Sequence, residues 1–305
     1  MDRRNFIQQA ALASTGLTVS PFNAWSEDRS FSFNYAVPSA MYGDMPVRAI
    51  LPEISKTGAK YIDLWPKPHG THREQVKAMG DDAFIRLLEE HEVKLGISTC
   101  YKLGPFNLAG EMNWASKVAE QGVTIVCGAA GKKNLKGEAL KKELHAFVEK
   151  MKPQISVAEK TGCTIAIENH SNSLVMSPDS LRYFAEATAD IPQLGLSFAP
   201  HHLPQDGAMQ GQLIREIGPC IKHFYAQQYG NGSKHKQAWE TEMLQMPGRG
   251  KLDFKPIVEA LISIHFTGFT EIFMHPFPRG VPIRNTIEEI TAEINWSRDY
   301  LEKLI

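Results

Sequence analysis

The sequence predicts an α/β chain closed as a single-domain (β/α)8 TIM barrel, and three observations carry that expectation. Eight short apolar runs alternate with helical patterns along the 305 residues. Most of the runs end on a histidine, carboxylate, amide or aromatic. Within the clearest runs side-chain character alternates with period two, small or polar on one face and apolar on the other. Polar groups gathered at one end of successive parallel strands are how such a barrel builds an active site.

The strand expectations begin near Phe31, Tyr61, Leu95, Val123, Thr164, Leu194, Ile221 and Thr270. Tyr61–Trp65 leads to His69, and Cys163–Ile167 leads to Glu168, Asn169 and His170. Leu194–Phe198 leads to His201 and His202, Ile221–Ala226 to Gln227 and Gln228, and Thr270–Met274 to His275. Between them, helical patterns cover Val47–Lys56, Asp82–His91, Glu111–Glu120, Glu138–Lys160, Pro178–Thr188, Gly211–Ile217, Phe254–Ile264 and Ile287–Leu304. Ser177-Pro178 supplies an N-cap and an N1 proline, and Thr286 with Glu289 a capping box. Gly58, Gly122, Gly162 and Gly268 follow helices, where left-handed turns return the chain to a strand. Parity puts Thr164, Ala166, Glu168 and His170 in the lumen, with Gly195, Ser197 and Ala199 beside them. Glu271, Phe273 and His275 share one face of the last strand.

Composition removes some function classes. The chain is 43% hydrophobic and 22% charged with a net charge of −1, which supports a full core and leaves no basic face for nucleic acid. No apolar run approaches a membrane span, so no membrane insertion is expected. Cys100, Cys127, Cys163 and Cys220 lack metal-ligand spacing and read as buried free thiols. Arg3-Arg4-Asn5-Phe6-Ile7, followed by the mildly apolar Ala10 to Val19, resembles a twin-arginine export signal. Residues 1–28 are therefore expected to be signal and linker, residues 29–305 the barrel, and the location periplasmic.

Glu168 in Ile-Glu-Asn-His, the strand ending Ala199-Pro200-His201-His202, the His223-Phe224-Tyr225 strand and the loop Met246-Pro247-Gly248-Arg249-Gly250-Lys251-Leu252-Asp253-Phe254 carry a resemblance. Together they resemble the xylose isomerase-like barrels over residues 31 to 305. That group includes sugar-phosphate isomerases and epimerases, ketose 3-epimerases, exported lyases and hydrolases of 3-keto-glycosides, and abasic-site endonucleases. The resemblance implies a metal cage with Glu on strand five, Asp-x-x-His on strand six, His on strand seven and Glu on strand eight. Glu168 matches the first and His202 the strand-six histidine. Ala199 stands at the aspartate, Tyr225 at the strand-seven histidine, and Phe273 or Met274 at the strand-eight carboxylate.

Two readings follow from that departure. A divalent ion (Mn, Zn, Co or Fe) is held by moved ligands, namely Glu168, His201, His202 and His275, with an amide of Gln227 or Gln228 beside them. Alternatively the site is metal-free and uses His and Glu directly. Trp65, His69, His170, Tyr225, Gln227, Gln228 and Arg249 are the candidates for binding a small sugar or keto-glycoside. Each has a plainer alternative: Trp65 as a core cap, His170 as a loop hydrogen bonder, His223 as a buried supporter of the site. Glu168 and Glu271 are the candidate acid–base pair, Glu271 having the alternative of a lysine partner at the barrel base. The chemistry expected is an isomerase or epimerase abstracting a proton beside a carbonyl, with keto-glycoside cleavage and non-catalytic sugar binding as alternatives. A homo-oligomer is compatible with the sequence, which does not specify one.

Overall fold

The strands close as expected. The structure is a computed structural model describing residues 31–120, 122–229 and 235–305. The segment read as an export signal lies outside the described residues. In chain order the strands are β1 (Asn34–Pro38), β2 (Tyr61–Leu64), β3 (Lys94–Thr99), β4 (Thr124–Gly128), β5 (Thr164–Glu168), β6 (Leu194–Phe198), β7 (Ile221–Ala226) and β8 (Phe269–Ile272). Each pairs in parallel with the next, and β8 pairs with β1, giving a closed ring.

The helical jacket comprises α1 (Val47–Ile54), α2 (His72–Met79), α3 (Asp81–Glu90), α4 (Ala109–Val118), α5 (Gly137–Thr161), α6 (Pro178–Ala187), α7 (Gly207–Ile217), α8 (Trp239–Glu242), α9 (Lys255–Ser263) and α10 (Ile287–Glu302). Two of these were not legible. Helix α2 buries only His72 and Val76, so it has almost no apolar stripe to read, and α8 is a single turn. Helix α7 starts four residues earlier than its apolar pattern, because the Asp206 carboxylate accepts from the Met209 N–H. Strand β1 starts at Asn34, three residues after the expected position.

Ser177 and Thr286 cap α6 and α10 as read, each in a reciprocal capping box. The glycines divide. Gly58 and Gly162 take the left-handed conformation at φ +76° and +69°. Gly122 and Gly268 do not; a Cβ there would strike the Gly162 and Lys222 carbonyls, so close backbone approach is what demands glycine. All four cysteines are free and buried. Among the described residues no helix is long and apolar enough to cross a membrane.

Ladder register fixes the lumen. Parallel partners face the same side, so Gly128, Glu168, Ser197 and His223 form one inward row across β4 to β7. Tyr225, Glu271 and Ala36 form another across β7, β8 and β1. Side chains beyond these rows lie at the C-terminal rim, where strand-following loops meet. Replacing Thr286 by Ala removes one acceptor from a helix start and should lower unfolding stability by about 1 kcal/mol. Urea denaturation of the two proteins checks that value.

Candidate active site

The rim above β5 and β6 is assembled by one amide. Asn169 follows Glu168, and its Nδ2 donates to the Ala199 carbonyl at 2.9 Å while its Oδ1 accepts from the Ala199 N–H at 2.8 Å. This clamp ties the end of β5 to the end of β6. Gln205 and Gln210 then both donate to the Pro200 carbonyl, at 2.9 and 3.2 Å. The chain between them is held as a 3-10 turn, Pro200–His202. Two adjacent histidines of a strand would face opposite sides; in this turn both reach Glu168. His201 Nε2 stands 3.9 Å and His202 Nε2 3.7 Å from Glu168 Oε1.

His170 completes the group. Its ring centre lies 4.0 Å from that of His202, and its Nδ1 lies 2.6 Å from the Ser171 carbonyl. A carbonyl only accepts, so Nδ1 carries a hydrogen. Glu168, His170 and His202 each present a ligand atom, all within 4.8 Å of one another. Burial pushes the Glu168 carboxyl up and the His202 imidazole down to about 3. At neutral pH His202 is therefore an uncharged donor and does not form an ion pair. Glu168 Oε2 is buried with no hydrogen-bond partner. A buried carboxylate with an orphaned oxygen beside neutral imidazoles suits a divalent cation of the Zn, Mn, Fe or Co type.

The opposite wall is His275 and His69, their rings 5.1 Å apart. His275 is pinned through its backbone: its N–H donates to Gln245 Oε1 and its carbonyl accepts from Gln245 Nε2. Burial, then the nearby Arg279, lowers His275 well below the usual imidazole range and His69 to about 4. Both are neutral bases at neutral pH. Tyr101 stands between the walls, its hydroxyl 3.3 Å from that of Tyr225 and within reach of Glu168.

Beneath this cup lies an aromatic floor. Trp65 stacks on Phe273 at 5.0 Å, and Tyr225 packs on the same ring at 5.5 Å. All three are essentially without exposure. One layer further in sits a sealed polar chain. Ser197 Oγ meets His223 Nδ1 at 2.7 Å, and His223 Nε2 stands 3.3 Å from Glu271 Oε2. Asp63, beside Glu271, accepts from the Thr99 N–H and hydroxyl at 3.0 and 2.6 Å. Burial pushes Asp63 up to about 7; burial and then Asp63 raise Glu271 further. Two carboxyls this deeply buried resist ionising together; among the described residues, both Glu271 oxygens and His223 Nε2 lack a hydrogen-bond partner.

The sequence-named residues therefore separate. Glu168, His69, His170, His201, His202 and His275 share the cup. Among those expected as ligands, His275 stands on the far wall, and His170 takes a place in the converging group. Trp65 and Tyr225 form the floor. Glu271 lies below it with no lysine partner, bound up with Asp63 and His223. Gln228 is spent on its loop, donating to the Met246 carbonyl and accepting from the Leu252 N–H. Gln227 donates to Gln245 Oε1 and so braces His275 at one remove. Arg249 is not over the mouth. It pairs with Glu293 of α10 and lies 4.1 Å over the Trp296 ring, because the glycine-flanked loop folds back onto that helix.

Three contributors went unread. Asp63 had lumen parity in Tyr61-Ile62-Asp63-Leu64. Tyr101 and Arg279 lie just past strand ends, the same signal used for the histidines.

A family model described as a xylose isomerase-like TIM barrel matches residues 51–300. The chain belongs to that family. The IolI protein with a bound zinc atom is similar at 17% identity, covering 90% of this chain and 99% of its own, with a TM-score of 0.67. D-psicose 3-epimerase from Clostridium cellulolyticum H10 is 15% identical, covering 89% and 99%, at a TM-score of 0.65. The 3-keto-D-glucoside 4-epimerase YcjR from E. coli is 12% identical, covering 88% and 100%, at 0.61. No curated protein matches. At such identities the likeness concerns the fold. Within this xylose isomerase-like barrel, Tyr225 and Phe273 pack their rings together in the lumen, and the candidate ligand atoms converge at the β5–β6 rim.

Two outcomes follow. Glu168→Gln should weaken zinc binding by more than about a hundredfold, since even supporting partners of metal ligands are worth 10–100-fold; competition with a chromogenic chelator measures it. The second concerns Asp63, whose folded pKa of about 7 exceeds the unfolded value. Its contribution to stability is full below the unfolded value near 3.8 and is lost as pH rises through about 7. The stability of wild type relative to Asp63→Asn should therefore fall between pH 4 and 7.5, read by urea unfolding at stepped pH.

Proposed function

We propose that this barrel abstracts a proton beside the carbonyl of a sugar or keto-glycoside, with metal assistance, in the manner of a sugar isomerase. The observation that carries the reading is the orphaned Glu168 oxygen, facing His170 and His202 across a cup whose other wall is two neutral imidazoles. When bound by Glu168, His170 and His202, a divalent ion supplies Lewis-acid polarisation of the carbonyl oxygen. Glu168 is then a ligand. His275 takes the proton from carbon, with His69 beside it to pass the charge on, and returns the proton to the neighbouring carbon from the same wall. Tyr101, steadied by Tyr225, donates to substrate oxygen. The aromatic floor excludes water from below.

Proton handling from one wall favours isomerisation over two-base epimerisation. Glu271, the expected second carboxylate, is walled off. The same arrangement supports keto-glycoside cleavage as a second reading: if a β-oxygen leaves, Tyr101 is placed to protonate it. The twin-arginine-like leader supports an extracytoplasmic setting for either, and the family names of its structural neighbours support a small sugar as substrate.

The test is solvent exchange. Manganese- or zinc-loaded protein, incubated in D2O with a panel of ketoses, aldoses and 3-keto-glycosides, should place deuterium beside the carbonyl, followed by NMR. Aglycone release without exchange product would select cleavage. Neither reaction, with metal bound stoichiometrically, would contradict the proposal. His275→Gln should retain the metal and slow exchange by about 10²–10⁴-fold, the usual worth of a general base.

A further inference from the structure

Arg279 is the cup's unspent group. It lies four residues past His275 in the loop between β8 and α10, and its Nη1 is buried with no hydrogen-bond partner. The guanidinium is half-buried, and the charges that reach it are those of Tyr101 and Glu168. Its positive charge opposes protonation of His69, His201, His202 and His275, the imidazoles of both walls.

The loop that carries it is fastened at both sides. Gly280, at φ +82°, lies so close to the Pro68 carbonyl that a Cβ would come within 2.7 Å of it. Three residues later the Ile283 N–H donates to the Met41 carbonyl at 3.0 Å. The loop is thus seated on the β1 and β2 loops, with Arg279 next to the glycine that meets Pro68, the residue before His69. A guanidinium with a buried, unpartnered nitrogen costs stability unless a ligand meets it. The nearest acid, Glu168, is turned to the imidazole group, and Lys102 adds a further positive charge near His69.

We infer that Arg279 is a specificity residue for a carboxylate carried by the substrate, so that the cup prefers an acidic sugar over its neutral counterpart. A carboxylate matches the guanidinium fork with two parallel hydrogen bonds. A phosphate can meet the same fork, and only comparison with a phosphorylated sugar separates the two. The inference rests on the proposed sugar cup and names the class of substrate it takes.

Binding decides it separately from catalysis. Isothermal titration of the full zinc-loaded chain with D-glucuronate, D-glucose and D-glucose 6-phosphate compares the three charges on one ring. Glucuronate should bind about tenfold to a hundredfold tighter than glucose, the worth of charge-assisted hydrogen bonds. In Arg279→Gln that preference should fall to within about threefold, and Arg279→Lys, keeping the charge without the fork, should retain part of it. Matching melting temperatures certify that the variants fold. Equal binding of glucose and glucuronate, a stronger preference for the phosphate, or a preference surviving Arg279→Gln would each overturn the inference. Absent deuterium exchange with the uronate preference intact would instead sink the isomerase reading and leave this one standing.

Discussion

Three rings across the lumen set the terms for everything above and below them. Trp65, Phe273 and Tyr225 come from β2, β8 and β7 or their immediate continuations, and their contact closes the lumen at the C-terminal ends of those strands. Aromatic side chains contribute large buried area, and a stacked pair adds about 0.5–1.5 kcal/mol beyond it. The floor divides a polar barrel interior into two environments. Above it, Glu168 and the imidazoles gather at the rim. Below it, Asp63, Glu271 and His223 are sealed into a chain that begins at Ser197 and ends at Thr99. A buried carboxyl pair that gives up at most one proton carries one negative charge where two separated carboxylates would carry two, which lowers the cost of burying it. The floor therefore both raises the chemistry to the rim and permits acids beneath it.

The rim has its own organiser in Asn169. Its two-bond clamp on Ala199 continues the β5–β6 ladder by side chain where the backbone ladder stops, and the turn that follows inherits its position. That turn is why neighbouring histidines converge and why His202, two residues beyond the proline, stands opposite Glu168. His275 is held from the other direction by Gln245, and Gln227 holds Gln245. Amides thus do the positioning and imidazoles the facing, a division that keeps each ring in one orientation.

The fold was legible because it is written in two independent periods. Strand parity placed Glu168, Ser197 and Phe273 on the lumen side, and capping residues placed α6 and α10. The site was legible in outline, as polar residues past strand ends. Its depth was not. Parity assigns Glu271 and His275 to the same face but cannot say that a ring at Phe273 will lie between them. Parity also misleads at His201 and His202, where a turn replaces the strand. Arg249 reads as a mouth residue from its glycines, yet Glu293, 44 positions later, draws it to the outer helix. Asp63 and Arg279 carry only the weak signals of lumen parity and of a place past a strand end; their surroundings in space are what make them significant.

The proposed metal site lies at the β5–β6 rim, above the aromatic floor. Anomalous diffraction from crystals soaked in zinc tests it most directly. The account predicts one strong peak among Glu168, His170 and His202. A peak instead at the level of Tyr225 and Glu271, or between His69 and His275 with Glu168 unligated, would contradict it.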